Sequence, residues 1–159
     1  MRFRSAPTAL ADADRLDHHL VTRLRVAATP QRCFDVLATG ENQQAWADGY
    51  VRTAWLTPAG PASVRDIHMR WVTVTERFLA WAPGRRFAFS ADAMSLPLVR
   101  RMIEDIAFAP AADGGTDLTW SVHVTFRPWL RPVSTILVDR VFRDMFAGFA
   151  RGLAQQAER

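Results

Sequence analysis

Two glutamates occupy positions where a carboxylate is costly. After Trp71, alternate residues are apolar (Val72, Val74, Phe78 and Ala80), and Glu76 falls in the same series. Further on, Met102, Ile106 and Phe108 share a parity with Glu104. Successive side chains of a β-strand face opposite sides, so both carboxylates are expected on the side their strands bury. A group placed there is paired with a cation, solvated by pocket water, or protonated with a raised pKa. Pairing is a structural role, solvation suits a ligand's polar group, and a raised pKa suits proton transfer near neutrality. Arg52 is the candidate cation, although Val51, Thr53 and Trp55 have an equal claim to the inward face of its strand. Tyr50 adds a hydroxyl able to donate to a ligand oxygen, or else simply packs.

The other chemistry-bearing residues point elsewhere. His68 shares parity with Asp66 and Arg70, and His123 with Thr119, Ser121 and Thr125, so both are expected to face outward. His18 and His19 begin a strand. No two histidines have zinc-site spacing, and Cys33 has no second thiol. Gly114-Gly115 forms a hairpin turn rather than a phosphate loop. The residues call for no metal and no cofactor.

Bulk properties narrow the class. With 159 residues, 49% of them apolar, the chain can bury one sizeable core. Every basic residue is arginine, so the pI of 10.8 overstates a net charge of only +4. The arginines are interleaved with acids rather than gathered with stacking aromatics, which argues against a nucleic-acid binder. A single cysteine fits a reducing compartment, the cytoplasm. No apolar run approaches the ~20 residues that span a bilayer.

The elements that must position the glutamates follow from periodicity. His19 to Ala27 alternates as a strand, and Thr29-Pro30 supplies an N-cap and a first helical residue. That helix runs to Gly40, and a second short one covers Glu41 to Trp46. Strands are expected over Tyr50–Thr57, Val64–Trp71, Val72–Trp81, Arg85–Ala91, Arg100–Phe108 and Asp117–Arg127, the third and second being either separate or one bent run. From Arg131 to Ala157, Val133, Leu137, Val141, Met145 and Phe149 recur at four-residue steps, predicting a long helix begun at Pro132 and buried along a broad stripe. Consecutive strands with short turns imply an antiparallel sheet, which curls as it twists. The fold class is therefore α+β: a curved sheet of about seven strands around a long C-terminal helix, with two short helices after the first strand. Residues 1–16 form an N-terminal tail and 17–159 a single domain.

This order, with Ala28-Thr29-Pro30 before Phe34-Asp35-Val36-Leu37 and Trp46, resembles the START-like, or SRPBCC, superfamily of Bet v 1-like helix-grip proteins. The segment Val74 to Trp81, followed by Pro83-Gly84-Arg85-Arg86, looks like that superfamily's middle strands, and the polyketide cyclase/dehydrase branch is the nearest in kind. The resemblance runs from about Leu20 to Gln156. It implies a cavity between sheet and helix for a lipid, polyketide or other oily molecule. Trp46, Tyr50, Met69, Glu76, Phe87, Phe89, Glu104, Trp120 and Met145 are the candidate lining residues. The leading expectation is a binder of a hydrophobic small molecule. The alternative is a polyketide aromatase/cyclase-like enzyme with Glu76, Glu104 or Tyr50 moving protons. A third is a docking module whose interior is packed shut.

Overall fold

Strand pairing sets the frame. A computed structural model describes all 159 residues. One antiparallel sheet contains β1 (Phe3–Arg4), β2 (His18–Val26), β3 (Tyr50–Trp55), β4 (Val64–Met69), β5 (Thr73–Ala82), β6 (Arg86–Met94), β7 (Val99–Pro110) and β8 (Thr116–Phe126). Their order is β2-β8-β7-β6-β5-β4-β3. β2 and β3 thus lie at opposite edges, and the short helices between them bridge one end of the curl. The run from Val64 to Trp81 resolves into two strands, because Met69 N–H donates to the Val72 carbonyl at 2.8 Å and closes a turn at Arg70-Trp71.

The N-terminal residues lie on the sheet. β7 pairs with β6 only over Arg86–Ser90, leaving the end of β6 unpaired on that side, and β1 takes up Ala93 and Met94 there. An open strand edge is a liability that such an added strand removes. Arg2 grips Asp66 through two hydrogen bonds of 2.6 and 2.7 Å. A 3₁₀ turn at Leu10–Arg15 follows, with Ala13 and Leu16 buried. His123 does face the outer side, as its parity predicts. It is nonetheless buried, beside Ala13 and stacked on His19 at 4.0 Å.

α1 (Pro30–Thr39) forms because its ends are specified. Thr29 Oγ1 accepts from the Arg32 N–H at 3.2 Å, Pro30 starts the first turn, and Gly40 closes the helix with a left-handed φ of 68°. Its apolar face buries Cys33, Phe34, Val36 and Leu37. Burial pushes the Cys33 thiol above its ordinary value, which starves it of the reactive thiolate. Native protein at pH 8 is expected to resist maleimide labelling, with prompt labelling after denaturation; mass spectrometry reads both.

The C-terminal run departs from the expected uniform helix. Pro128–Val133 is a 3₁₀ segment with Pro132 inside it, α3 covers Ser134–Leu137, a π-helical turn covers Val138–Phe142, and α4 runs Arg143–Ala157. Pro128 stands at the first helical position after Arg127, where a missing N–H costs nothing, so the helical run begins as 3₁₀ before Pro132 is reached. Nor is the stripe wholly buried: Val133, Ile136 and Val141 are exposed. The inner residues Phe146, Ala150 and Leu153 do pack into the core.

Gly152 fixes how close α4 comes to α2 (Gln43–Trp46). A Cβ there would overlap the Trp46 carbonyl oxygen, which is backbone and cannot step aside cheaply. Gly152→Ala is expected to lower stability by about 1–3 kcal/mol, the usual cost of overpacking, measured by chemical denaturation.

Candidate functional site

The curl of the sheet does not fill completely. A cavity of about 250 Å³ remains between it and the C-terminal helical run. Of its 25 lining residues 21 are hydrophobic, and the polar exceptions are Gln43, Arg65, Glu76 and Glu104. Exposed Trp71 and Val141 contribute to the same lining and mark its mouth.

Strand register places three of those polar groups on one face of the sheet. Arg65 on β4 lies opposite Glu76 on β5, Glu76 opposite Ala91 on β6, and Phe89 of the same strand opposite Glu104 on β7. The pairing slips beside the carboxylate, since Thr75 faces Ala93 and Glu76 faces Ala91 with Asp92 of β6 passed over, as bulges do beside functional sites.

Arg65 Nε donates to Glu76 Oε2 at 2.7 Å, and both side chains are buried. The Arg65 guanidinium also lies over the rings of Phe78, Trp55, Phe87 and Phe89 at 5.0–5.8 Å, a favourable place for a desolvated cation. Burial pushes the Glu76 carboxyl upward, while the charge and hydrogen bond of Arg65 pull it down.

Glu104 is differently situated. Trp120 Nε1 donates to its Oε2 at 3.0 Å, and the one cation in the cavity is already engaged by Glu76. Burial, reinforced by the like charge of Glu76, pushes the Glu104 carboxyl up to about 8. At neutral pH it is a carboxylic acid and a hydrogen-bond donor. Gln43 adds a buried Oε1 that accepts no hydrogen bond.

The candidates from sequence divide accordingly. Trp46, Met69, Glu76, Phe89, Glu104, Trp120 and Met145 line the cavity. Phe87 does not: it is wholly buried behind the wall, edge-on to Phe34 and Phe78. Tyr50 lies outside as well, in a polar groove between α2 and β3, with its hydroxyl 3.0 Å from Thr53 Oγ1. A register shift between Tyr50 and Arg52 interrupts the pairing of β3 with β4 at this point. Arg52 is exposed and shares that outer groove, so it is not the partner of either glutamate. The residue missed was Arg65. Its signal was present, because it shares the parity of Ile67 and Met69.

This geometry can be set beside other proteins. The family model for polyketide cyclase / dehydrase and lipid transport proteins matches residues 17–158, nearly the whole chain. The chain belongs to that family. Within reach of sequence comparison, an uncharacterized protein of Mycobacterium tuberculosis is 31% identical over 130 residues, covering 76% of this chain and 77% of its own. Two solved structures share the family's fold with little sequence identity. The Zhui aromatase/cyclase from Streptomyces sp. R1128 superimposes with a TM-score of 0.70 at 18% identity, over 89% of this chain and 94% of its own. A START superfamily protein from Mycobacterium smegmatis gives 0.71 at 13% identity, over 89% and 97%. These likenesses establish the helix-grip fold.

Proposed function

We propose that this protein binds a hydrophobic small molecule, a lipid or a polyketide-like compound, in the cavity between the sheet and the C-terminal helix. The observation that carries the reading is an almost wholly apolar cavity with a few convergent polar groups, the usual make-up of a small-molecule site. An apolar cavity of about 150 Å³ suffices for benzene, so 250 Å³ accommodates a ligand part of about two fused rings. Aromatic and methionine side chains suit a flat or irregular apolar body. Neutral Glu104 would donate to a ligand carbonyl, and the idle Gln43 Oε1 would accept from a ligand hydroxyl.

The condition of Glu104 favours one second reading, an aromatase/cyclase-like enzyme. A carboxylic acid poised near neutrality can protonate a carbonyl oxygen as a new carbon–carbon bond forms, and as carboxylate recover a proton in the dehydration that follows. The structural likeness to an aromatase/cyclase agrees with this chemistry.

A thermal-shift and native mass-spectrometry screen against lipids and aromatic polyketides tests the binding reading. A stabilising ligand that travels with the folded protein at one-to-one stoichiometry is expected. No shift and no bound mass across such a library would refute it. Glu104→Gln separates the two readings, since an enzyme would lose turnover while keeping affinity.

A further inference from the structure

The stretch from Pro128 to Phe142 is apolar on both of its sides. Leu130, Leu137 and Phe142 close the cavity from the inside. Trp129, Val133 and Ile136 stand outside, with 59%, 43% and 62% of their surfaces exposed. Val133 and Ile136 are three residues apart on one outer face, and Trp129 stands exposed on the 3₁₀ segment just before them. An exposed apolar stripe rimmed by polar residues is the usual mark of an interaction surface.

The charge around the stripe says what that surface is. Arg140 continues the stripe, while Arg127 and Arg131 flank Trp129, with the Arg127 guanidinium 5.9 Å from the Trp129 ring. Arg127 also donates to the Arg4 carbonyl, and the pairing of Val99 with Phe126 and Arg101 with Thr125 brings Arg100 and Arg101 to the same end of the sheet. None of these six arginines forms an ion pair, whereas the ion pairs of the molecule are made by arginines elsewhere and by Arg143. Asp139, the one acid between Pro128 and Phe142, is held by Arg143 at 3.0 Å. Arg127, Arg131 and Arg140 thus border the stripe without ion pairs, while exposed Asp17, whose N–H donates to Thr125 Oγ1, is an acid at that end of the sheet.

We propose that this face docks the protein on an anionic lipid surface, with Trp129, Val133 and Ile136 entering the headgroup–acyl boundary and the surrounding arginines meeting lipid phosphates. A narrow apolar ridge fringed by arginine matches a helix that lies in a bilayer interface, its apolar side ~5–10 Å deep. Tryptophan suits that depth because its ring is apolar and its N–H is polar. The turn that carries the stripe also carries Leu137 and Val141, which line the cavity, so docking would bring the mouth to the membrane. This inference does not depend on the cavity's being occupied, because vesicle binding is read with no small-molecule ligand added.

Sedimentation of the full chain with phosphatidylcholine vesicles, with and without phosphatidylglycerol, tests it. Binding is expected to the mixed vesicles, to be far weaker on phosphatidylcholine alone, and to fall as salt rises. Ile136→Asp should weaken binding at least about tenfold through the lost apolar insertion, and Arg131→Ala about fivefold. Both side chains are exposed, so both variants should melt with the parent, which separates lost docking from lost folding. No sedimentation with mixed vesicles, or equal sedimentation of parent and Ile136→Asp, would overturn the proposal. So would binding to an acidic protein in the absence of any vesicle binding.

Discussion

Replacing Arg65 with methionine is expected to lower the melting temperature by on the order of 10 °C. The substitution leaves Glu76 buried opposite an apolar side chain, with its 2.7 Å hydrogen bond gone. Removing one partner of a buried pair costs about 3–5 kcal/mol, and each kcal/mol moves the midpoint of a domain this size by roughly 2–4 °C. The aromatic rings around the guanidinium lose a cation as well, which adds to the loss. Glu76 can relieve part of the penalty by taking up a proton, so the deficit should deepen as pH rises. The double variant Arg65→Met with Glu76→Leu removes both charges and should recover most of the lost stability, since apolar replacement of a whole buried pair is often neutral or better. Melting curves of the two variants side by side check this. Equal loss in both would mean that the pair's geometry, rather than an orphaned charge, was responsible.

Glu104→Gln should act in the opposite direction, raising stability at neutral pH. The sign follows from proton uptake. In the folded protein the carboxyl titrates near 8, against an ordinary value of 4.5. Below about 4.5 both folded and unfolded chains hold the proton, and the stability associated with this site is fully present. Between 4.5 and 8 the folded chain holds a proton that the unfolded chain has released, so stability falls with rising pH by about 1.4 kcal/mol per unit. By pH 7 the loss is about 3 kcal/mol on that slope. Glutamine has no proton to release, and its amide oxygen can still accept from Trp120 Nε1. The variant should therefore match the parent near pH 4 and exceed it at pH 7, with the gap opening steadily between them. Urea denaturation at a series of pH values measures the gap. A constant difference at every pH would show that folding does not shift the Glu104 carboxyl.

Much of this arrangement was legible in the residues. The inward positions of Glu76 and Glu104 follow from alternation with their apolar neighbours, which holds locally from Val74 to Phe78 on β5 and from Met102 to Phe108 on β7. It misleads where the register slips. A shift between Phe78 and Ala80 turns Trp81 into the aromatic core against Phe34 and Phe78, although its parity pointed outward. At Tyr50 and Arg52 parity left the inward face open, and with a register shift between them both residues line the outer groove. Bulges arise from three-dimensional strand geometry, and nothing at Tyr50 or Leu79 announces one. Phe87 shows a different limit: parity says which face of the sheet a residue occupies, but not whether that spot is cavity or solid core. At the lead-in to the final helix two prolines offer a start, and it is Pro128, not Pro132, that begins the helical run, as a 3₁₀ turn. Arg65 was overlooked although its parity was apolar, because a strand's first residues are weak evidence of its face.

The most direct measurement of the central claim uses the protein's own methionines. Met69, Met94, Met102 and Met145 all line the cavity, whereas Met1 is fully exposed. In a protein labelled at its methionine methyl groups, titration with a bicyclic aromatic or medium-chain lipid should move the four interior resonances together in an NMR spectrum and leave that of Met1 in place. Four unmoved interior signals at saturating concentrations, across both ligand types, would contradict an internal guest.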